Sequence, residues 1–318
     1  MSRTICTLQR IVRTEAPALP TPGGGHTWAR FEALSRWAAT DLSLGRLAEG
    51  HVDALAILAE AGMEVADQRA TYGVWAARSP GGTVARRAPD GWHLSGRKEF
   101  CSGSLHLDRA LVTADADDGY RLFDIDVSAQ VTSSDPDSWP AVGMADSLSE
   151  TLSFGGPAVP ATRAVGGPEF YVDRPGFWFG SVGVAACWYG GAVGLVEHAV
   201  RALEATSSEL VLAPLGEAVA HVEAMRAILH DAANEIDADP IDRHKRARRR
   251  ALVVRQAVHR GSSAVLERVV AATGARPLCH DRDQARRAAD LVVYLAQHHG
   301  LRDVVELARM AVDGGAWN

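Results

Sequence analysis

The sequence predicts an α+β protein of several domains: N-terminal helices, a central antiparallel β-barrel or sandwich, and a C-terminal four-helix bundle. Three observations predict it. Apolar residues recur at three-residue steps early in the chain, short alternating runs separated by turn residues begin at Tyr72, and long helical stretches resume after Pro175. These changes of texture divide the chain into 1–70, 71–167 and 168–318.

The opening stretch ends in Pro20-Thr21-Pro22-Gly23-Gly24-Gly25, a composition that reads as a loose lead-in. Trp28, Phe31, Leu34 and Trp37 then mark one face of helical chain reaching about Leu58. Asp41 suits the cap of a second helix, and Asp53 begins or sits in a third that runs to Gly62.

In the middle segment, Thr83 to Arg87 and Trp92 to Phe100 flank Pro89-Asp90-Gly91. Proline presets one turn torsion and glycine accepts positive φ, so a hairpin is expected there. Arg109 to Ala114 and Tyr120 to Asp126 flank Asp117-Asp118-Gly119 in the same way, and further strands are expected at Glu150 to Phe154 and Val159 to Val165.

Phe177 to Leu203 is one long, largely apolar stretch punctuated by Gly180, Gly183, Gly190, Gly191 and Gly194. Glycine costs up to ~1 kcal/mol per helix position, so several in one helix suggest that another backbone or a ligand comes close, simple helix–helix packing being the favoured reading. Pro214 suits the first turn of a helix from Leu215 to Ile236. Another helix is expected from Arg246 to Ala272, and one or two from Ala285 to Met310.

The chain has 318 residues, 47% of them hydrophobic and 23% charged, enough for two or three packed domains. A net charge of -6 argues against nucleic acid as a partner. No apolar run of ~20 residues suggests a membrane-spanning helix, and Met1 to Arg13 lacks the apolar core of a secretory signal. Cys6, Cys101, Cys187 and Cys279 are far apart, which fits a reduced, cytoplasmic protein without disulfides. Gly23-Gly24-Gly25 follows no strand and makes no dinucleotide-binding fingerprint, and neither an H-E-x-x-H metal pair nor a G-x-S-x-G elbow occurs. The run Arg243-His244-Lys245-Arg246-Ala247-Arg248-Arg249-Arg250 either grips a phosphate or is a solvated helix start, partly neutralised by Asp231, Glu235, Asp237, Asp239 and Asp242.

The stretch Gly91-Trp92-His93-Leu94-Ser95-Gly96-Arg97-Lys98-Glu99-Phe100-Cys101-Ser102-Gly103 resembles the central-domain G-x-x-L-x-G-x-K motif of acyl-CoA dehydrogenases and the aromatic–aliphatic–hydroxyl segment that follows it. Val142-Gly143-Met144-Ala145-Asp146-Ser147-Leu148-Ser149 resembles that family's G-M-x-x-T-x-S element, and Phe154 with Val159-Pro160 its next strand. In order and spacing the resemblance covers about residues 30 to 310. It implies FAD between the β-domain and the C-terminal helices, an acyl substrate that is CoA- or carrier-linked, and a homodimer or homotetramer. Carried onto this sequence, Phe100, Cys101 and Ser102 would lie along one flavin face with Ser102 near N5. Val74, Trp75 and Ala76 would meet the pyrimidine side. Donors aimed there stabilise the charge a flavin gains on reduction. Read as residues alone, Phe100 and Trp75 also suit a plain aromatic core.

Three departures from the family pattern bear on activity. The helical lead-in is short. The family's Thr-Glu-Pro segment is replaced by Trp75-Ala76-Ala77, which removes a side-chain donor. The catalytic glutamate has no counterpart: the matching region reads Tyr294-Leu295-Ala296-Gln297-His298-His299-Gly300 and holds no carboxylate. A weak carbon acid is not deprotonated without a positioned base. His298 or His299 is a candidate replacement, Asp290 and Glu306 lesser ones, and adjacent helical residues cannot both face one site. The family's glycine-rich loop toward the adenine half of FAD reads Arg268 to Gly274 here and keeps one glycine, Gly274. The leading expectation is therefore an FAD-dependent oxidoreductase resembling acyl-CoA dehydrogenases. The alternatives are a flavin-dependent monooxygenase on the same fold, which needs no such base, and a non-catalytic binding or assembly subunit.

Overall fold

The computed structural model describes residues 3–203 and 208–314. Its described residues form two compact units. One comprises Met1–Leu19, Arg46–Ala141 and Ala145–Phe177; the other comprises Pro20–Gly45, Val142–Met144 and Trp178–Asn318.

The first unit opens with a helix that the sequence reading treats as loose chain. Helix α1 (Arg3–Thr14) buries Ile5, Leu8, Ile11 and Val12, a three-to-four-residue stripe that the Pro/Gly-rich segment after it obscured. Its sheet contains β1 (Tyr72–Trp75), β2 (Val84–Ala88), β3 (Gly91–Cys101), β4 (Arg109–Ala116), β5 (Gly119–Asp126), β6 (Val131–Asp135), β7 (Glu150–Phe154) and β8 (Ala164–Val165). The order is β6-β7-β3-β2-β4-β5-β8, with β1 also paired to β4. Both predicted hairpins form, β2 with β3 and β4 with β5.

The expectation of an antiparallel barrel or sandwich is corrected in one respect. β1 and β2 both pair with β4 in parallel, one along each half of its length, so the sheet is mixed. The strand expected from Val159 to Val165 shrinks to β8, because Val159 makes only an isolated bridge to Trp92 and a turn of 3-10 helix follows Pro160. Single helical turns at α4 (Val127–Gln130) and α5 (Phe170–Asp173) flank the sheet. Its core joins Tyr72, Val74, Leu111, Leu122 and Val165 to Ala54, Ile57 and Leu58 of α3 (Leu42–Glu60). α3 is continuous through Asp53, so the third helix expected there does not exist; Asp41 caps α3, accepting from the Leu44 N–H at 2.9 Å.

The second unit is helical: α2 (Thr27–Thr40), α6 (Pro175–Arg201), α7 (Glu209–Ala238), α8 (Ala247–Thr273), α9 (Ala275–His280), α10 (Arg282–Leu295) and α11 (Leu301–Gly314). α7 begins at Glu209, six residues before the expected Leu215, which leaves Pro214 inside the helix instead of in its first turn. α6 is long and apolar enough to cross a membrane by length and composition, but 78% of its most apolar window is buried, as in a core helix. Two of its glycines are explained by backbone approach, whereas Gly183 and Gly191 meet only leucine side chains. A methyl at Gly190 would overlap the Ser35 carbonyl and one at Gly194 the Ala39 carbonyl, both on α2. The Ser35 hydroxyl donates to the Ala186 carbonyl at 3.0 Å along the same contact.

Candidate functional site

In the first unit the chemistry gathers where β3 ends. The β3–β7 pairing shifts register between Lys98 and Cys101. Such a bulge re-aims side chains and ends pairing. Phe100 takes φ 58° there, a left-handed conformation uncommon for an aromatic residue. Its ring is 58% exposed and meets Trp139 edge-to-face at 6.4 Å. Cys101, next along, is fully buried, and burial pushes its thiol up to about 12. It is therefore protonated, inert, and turned away from the exposed edge that Phe100 faces.

Ser102 is buried but satisfied. Its hydroxyl shares a hydrogen bond with Ser149 at 2.9 Å, and Ser149 another with Ser147 at 2.9 Å. The Gly103 N–H donates to the Ser147 carbonyl at 2.8 Å and the Ser104 hydroxyl to Glu150 at 2.6 Å. The turn after β3 is thus laced to the chain entering β7. Beneath it, Trp75 is 1% exposed and its indole N–H donates to the Ser102 carbonyl at 3.0 Å. Val74 is buried beside it, and the Ala76 carbonyl accepts from the Tyr120 hydroxyl at 3.3 Å. Lys98 is also buried, donating to the Ala77 carbonyl at 3.1 Å and Thr113 at 3.0 Å, and desolvation lowers it to about 8. Phe100, Cys101 and Ser102, with Val74, Trp75 and Ala76, therefore belong to one neighbourhood, where Phe100 alone projects a large exposed surface.

In the second unit the chemistry gathers after α10. His298 lies in the turn before α11, and its ring stacks on His259 of α8 at 4.5 Å and 27°. Trp188 of α6 meets it edge-on at 6.2 Å. The Gly300 N–H donates to His298 Nδ1 at 3.0 Å, so the neutral ring carries its proton on Nε2. Nε2 is buried and has no protein partner among the described residues. Desolvation first, then His259 and Arg255, lower the His298 pKa to about 4, so the ring is neutral near pH 7. His259 is lowered as well, chiefly by burial. His299, by contrast, points to solvent, 3.4 Å from Asp303.

The other candidates are placed apart from this cluster or are already engaged. Asp290 is buried and accepts from the Met144 N–H at 2.6 Å and from Arg286 at 3.3 Å. Glu306 pairs with Arg248. Arg268 pairs with Glu217 at 3.0 Å and Glu267 at 3.4 Å, and Gly274 closes α8 with φ 68°. In the basic run, Asp239 accepts from the backbone N–H groups of Arg243 and His244 and Asp242 from those of Arg246 and Ala247, while the Arg248 and Arg250 side chains pair with Glu306 and Glu235. Among the described residues no His/Cys/Asp/Glu group can hold a metal ion. Arg255, His259 and Trp188 escape sequence reasoning. The available signal is the four-residue spacing that puts Arg255 and His259 on one face of α8.

No protein-family model matches the sequence, and no curated protein matches it. Solved structures do. The dibenzothiophene monooxygenase TdsC from Paenibacillus sp. A11-2 is 20% identical with a TM-score of 0.77 over 98% of this chain and 95% of that one. It has also been solved with FMN and indole. The methanesulfinate monooxygenase MsuC from Pseudomonas fluorescens is 17% identical with a TM-score of 0.79 over 98% and 97%. KijD3, in complex with FMN and dTDP-3-amino-2,3,6-trideoxy-4-keto-3-methyl-D-glucose, is 18% identical with a TM-score of 0.82 over 97% and 86%. The chain has the acyl-CoA dehydrogenase-like fold.

Proposed function

We propose that this protein is a flavin-dependent monooxygenase, acting on a small molecule with reduced flavin and molecular oxygen. One observation carries the reading over a dehydrogenase. Where a dehydrogenase needs a carboxylate, this chain holds His298, neutral and with its buried Nε2–H unpartnered by protein. A histidine with a pKa of about 4 is a poor base for a carbon acid but a steady hydrogen-bond donor. The similarity of fold to TdsC, MsuC and KijD3 supports the same choice.

The residues fit a flavin. Phe100 offers an exposed aromatic face, and the turn that follows it is held by the buried, linked hydroxyls of Ser102, Ser149 and Ser147. When bound and reduced, the flavin supplies the electrons with which one oxygen atom enters the substrate and the other leaves as water. Phe100 would hold the ring, in a turn that the serine segment keeps in place; the Gly300 N–H keeps the proton of the neutral His298 ring on Nε2. We favour FMN over FAD. Arg268 is engaged by two carboxylates and only Gly274 survives of the loop that would meet an adenine. The chain has no nicotinamide-binding fingerprint, so the reading includes a separate reductase that delivers reduced flavin. The homodimer or homotetramer and the cytoplasmic location expected from sequence belong to the same proposal.

The test is a visible spectrum of purified protein after incubation with FMN or FAD and removal of the excess, followed by oxygen uptake with supplied reduced flavin and a panel of aromatic heterocycles and small organosulfur compounds. Retained FMN bands and substrate-dependent oxygen uptake are expected. A colourless protein that leaves the background oxidation of free reduced flavin unchanged would overturn the proposal.

A further inference from the structure

We propose that Arg255 is a positioning residue that holds His298 in one orientation and one tautomer. This rests on the monooxygenase reading for the role of His298, and on geometry for the rest. Arg255 is 8% exposed, deep for a guanidinium. Its Nη1 donates to the Ser181 carbonyl of α6 at 3.2 Å and its Nη2 to the Gln297 carbonyl at 3.5 Å. Its plane lies over the Trp188 ring, 4.5 Å from the centroid. One side chain therefore joins α8, α6 and the turn that carries His298, through the carbonyl of the residue immediately before it.

The reason arginine is needed follows from shape. A planar fork reaches two separate carbonyls and stacks on an aromatic face at once, whereas a lysine ammonium is a point charge that does one of these well. One turn along α8, His259 covers a face of the His298 ring. With Gly300 holding Nδ1, rotation of the ring would break the Nδ1 bond and the stack together. Among the described residues, His259 from α8 stacks on His298 and Trp188 from α6 meets it edge-on, while Arg255 from α8, its neighbour His299 and Asp303 from α11 act on it through charge. Among the charged and titratable ones Asp303 alone favours the charged ring; His259, Arg255 and His299 oppose it.

The experiment is nitrogen-15 NMR of histidine-labelled full-length protein, with His298 assigned by difference from H298N, in wild type, R255K and R255M. In wild type a single Nε2–H tautomer and a midpoint near 4 are expected. In R255K the charge is kept but the span between carbonyls is lost, so a tautomer mixture is expected although the cation remains. R255M should give the same mixture, with the midpoint moved toward the ordinary histidine value. Both variants should lower kcat at least tenfold with FMN affinity unchanged. Wild-type tautomer and midpoint in a folded R255K would overturn the proposal. If R255M fails to fold, R255K decides on the same readout. If the wild type shows no turnover with any substrate, the monooxygenase reading fails, while the NMR result still decides whether Arg255 positions His298.

Discussion

His259 and His298 stack face to face at 4.5 Å, yet one lies in the middle of α8 and the other in the turn between α10 and α11. Two imidazoles this close cannot both carry charge without repulsion, and both are shifted down, burial being the first cause in each. The pair is a neutral aromatic contact near pH 7, and its consequences are measurable.

The first concerns pH. The His298 pKa is lowered to about 4, while an unfolded histidine titrates near its ordinary value. Between those values the unfolded chain binds a proton that the folded chain does not, so stability rises with pH across that window. The contribution is complete above the ordinary histidine value and is lost as pH falls toward about 4. Urea midpoints of wild type and H298F, measured from pH 4 to 7, should converge differently: the wild type is expected to lose more stability on acidification. Parallel curves would contradict the assigned shift.

Removing the imidazole should also damage the chemistry more than the fold. H298N is expected to lower turnover by roughly 10²- to 10³-fold, the usual loss when one preorganised hydrogen-bond donor is displaced. FMN retention, read from the visible spectrum, should persist. A variant with wild-type turnover would move the catalytic role elsewhere.

Phe100 offers the complementary test. Its ring is 58% exposed, so F100A removes little core packing and should leave the thermal midpoint within a degree or two. Loss of an aromatic partner is worth about 0.5–1.5 kcal/mol, which corresponds to FMN binding weakened by ~2- to 13-fold. Equilibrium titration followed by flavin fluorescence measures it; unchanged affinity would remove Phe100 from the flavin site.

The cysteines should separate cleanly. Cys6 and Cys279 are exposed, whereas Cys101 and Cys187 are fully buried, and Cys101 is additionally pushed up to about 12. Brief alkylation of native protein, read by peptide mass spectrometry, should label the first two and spare the others. Rapid labelling of Cys101 would mean that the turn after β3 opens readily.

Glycine-to-alanine changes in two helices should have opposite signs. G190A drives a methyl into the Ser35 carbonyl and is expected to cost about 1–3 kcal/mol or more. G216A meets nothing within 4 Å in α7 and should stabilise by up to ~1 kcal/mol. Thermal melts of the two variants decide it.

The sequence alone was enough for the hairpins, since Pro89-Asp90-Gly91 and Asp118-Gly119 carry turn torsions locally. It was enough for the long helices of the second unit, whose apolar stripes persist over many turns, and for the order of elements that marks the fold. Motif spacing, a property of the chain, also singled out the segments around Phe100 and His298 as candidates. Tertiary structure decided the rest. The parallel pairing of β1 and β2 with β4 joins strands distant in sequence, which no local period encodes. Which of two adjacent histidines is enclosed was decided by folding: His298 is packed against Trp188 and His259, and His299 is turned to solvent. Arg255, one of many arginines in the chain, became distinctive only when folding brought the Ser181 and Gln297 carbonyls within reach of one guanidinium. Periodicity and turn chemistry are written residue by residue, whereas desolvation and convergence exist only after distant segments meet.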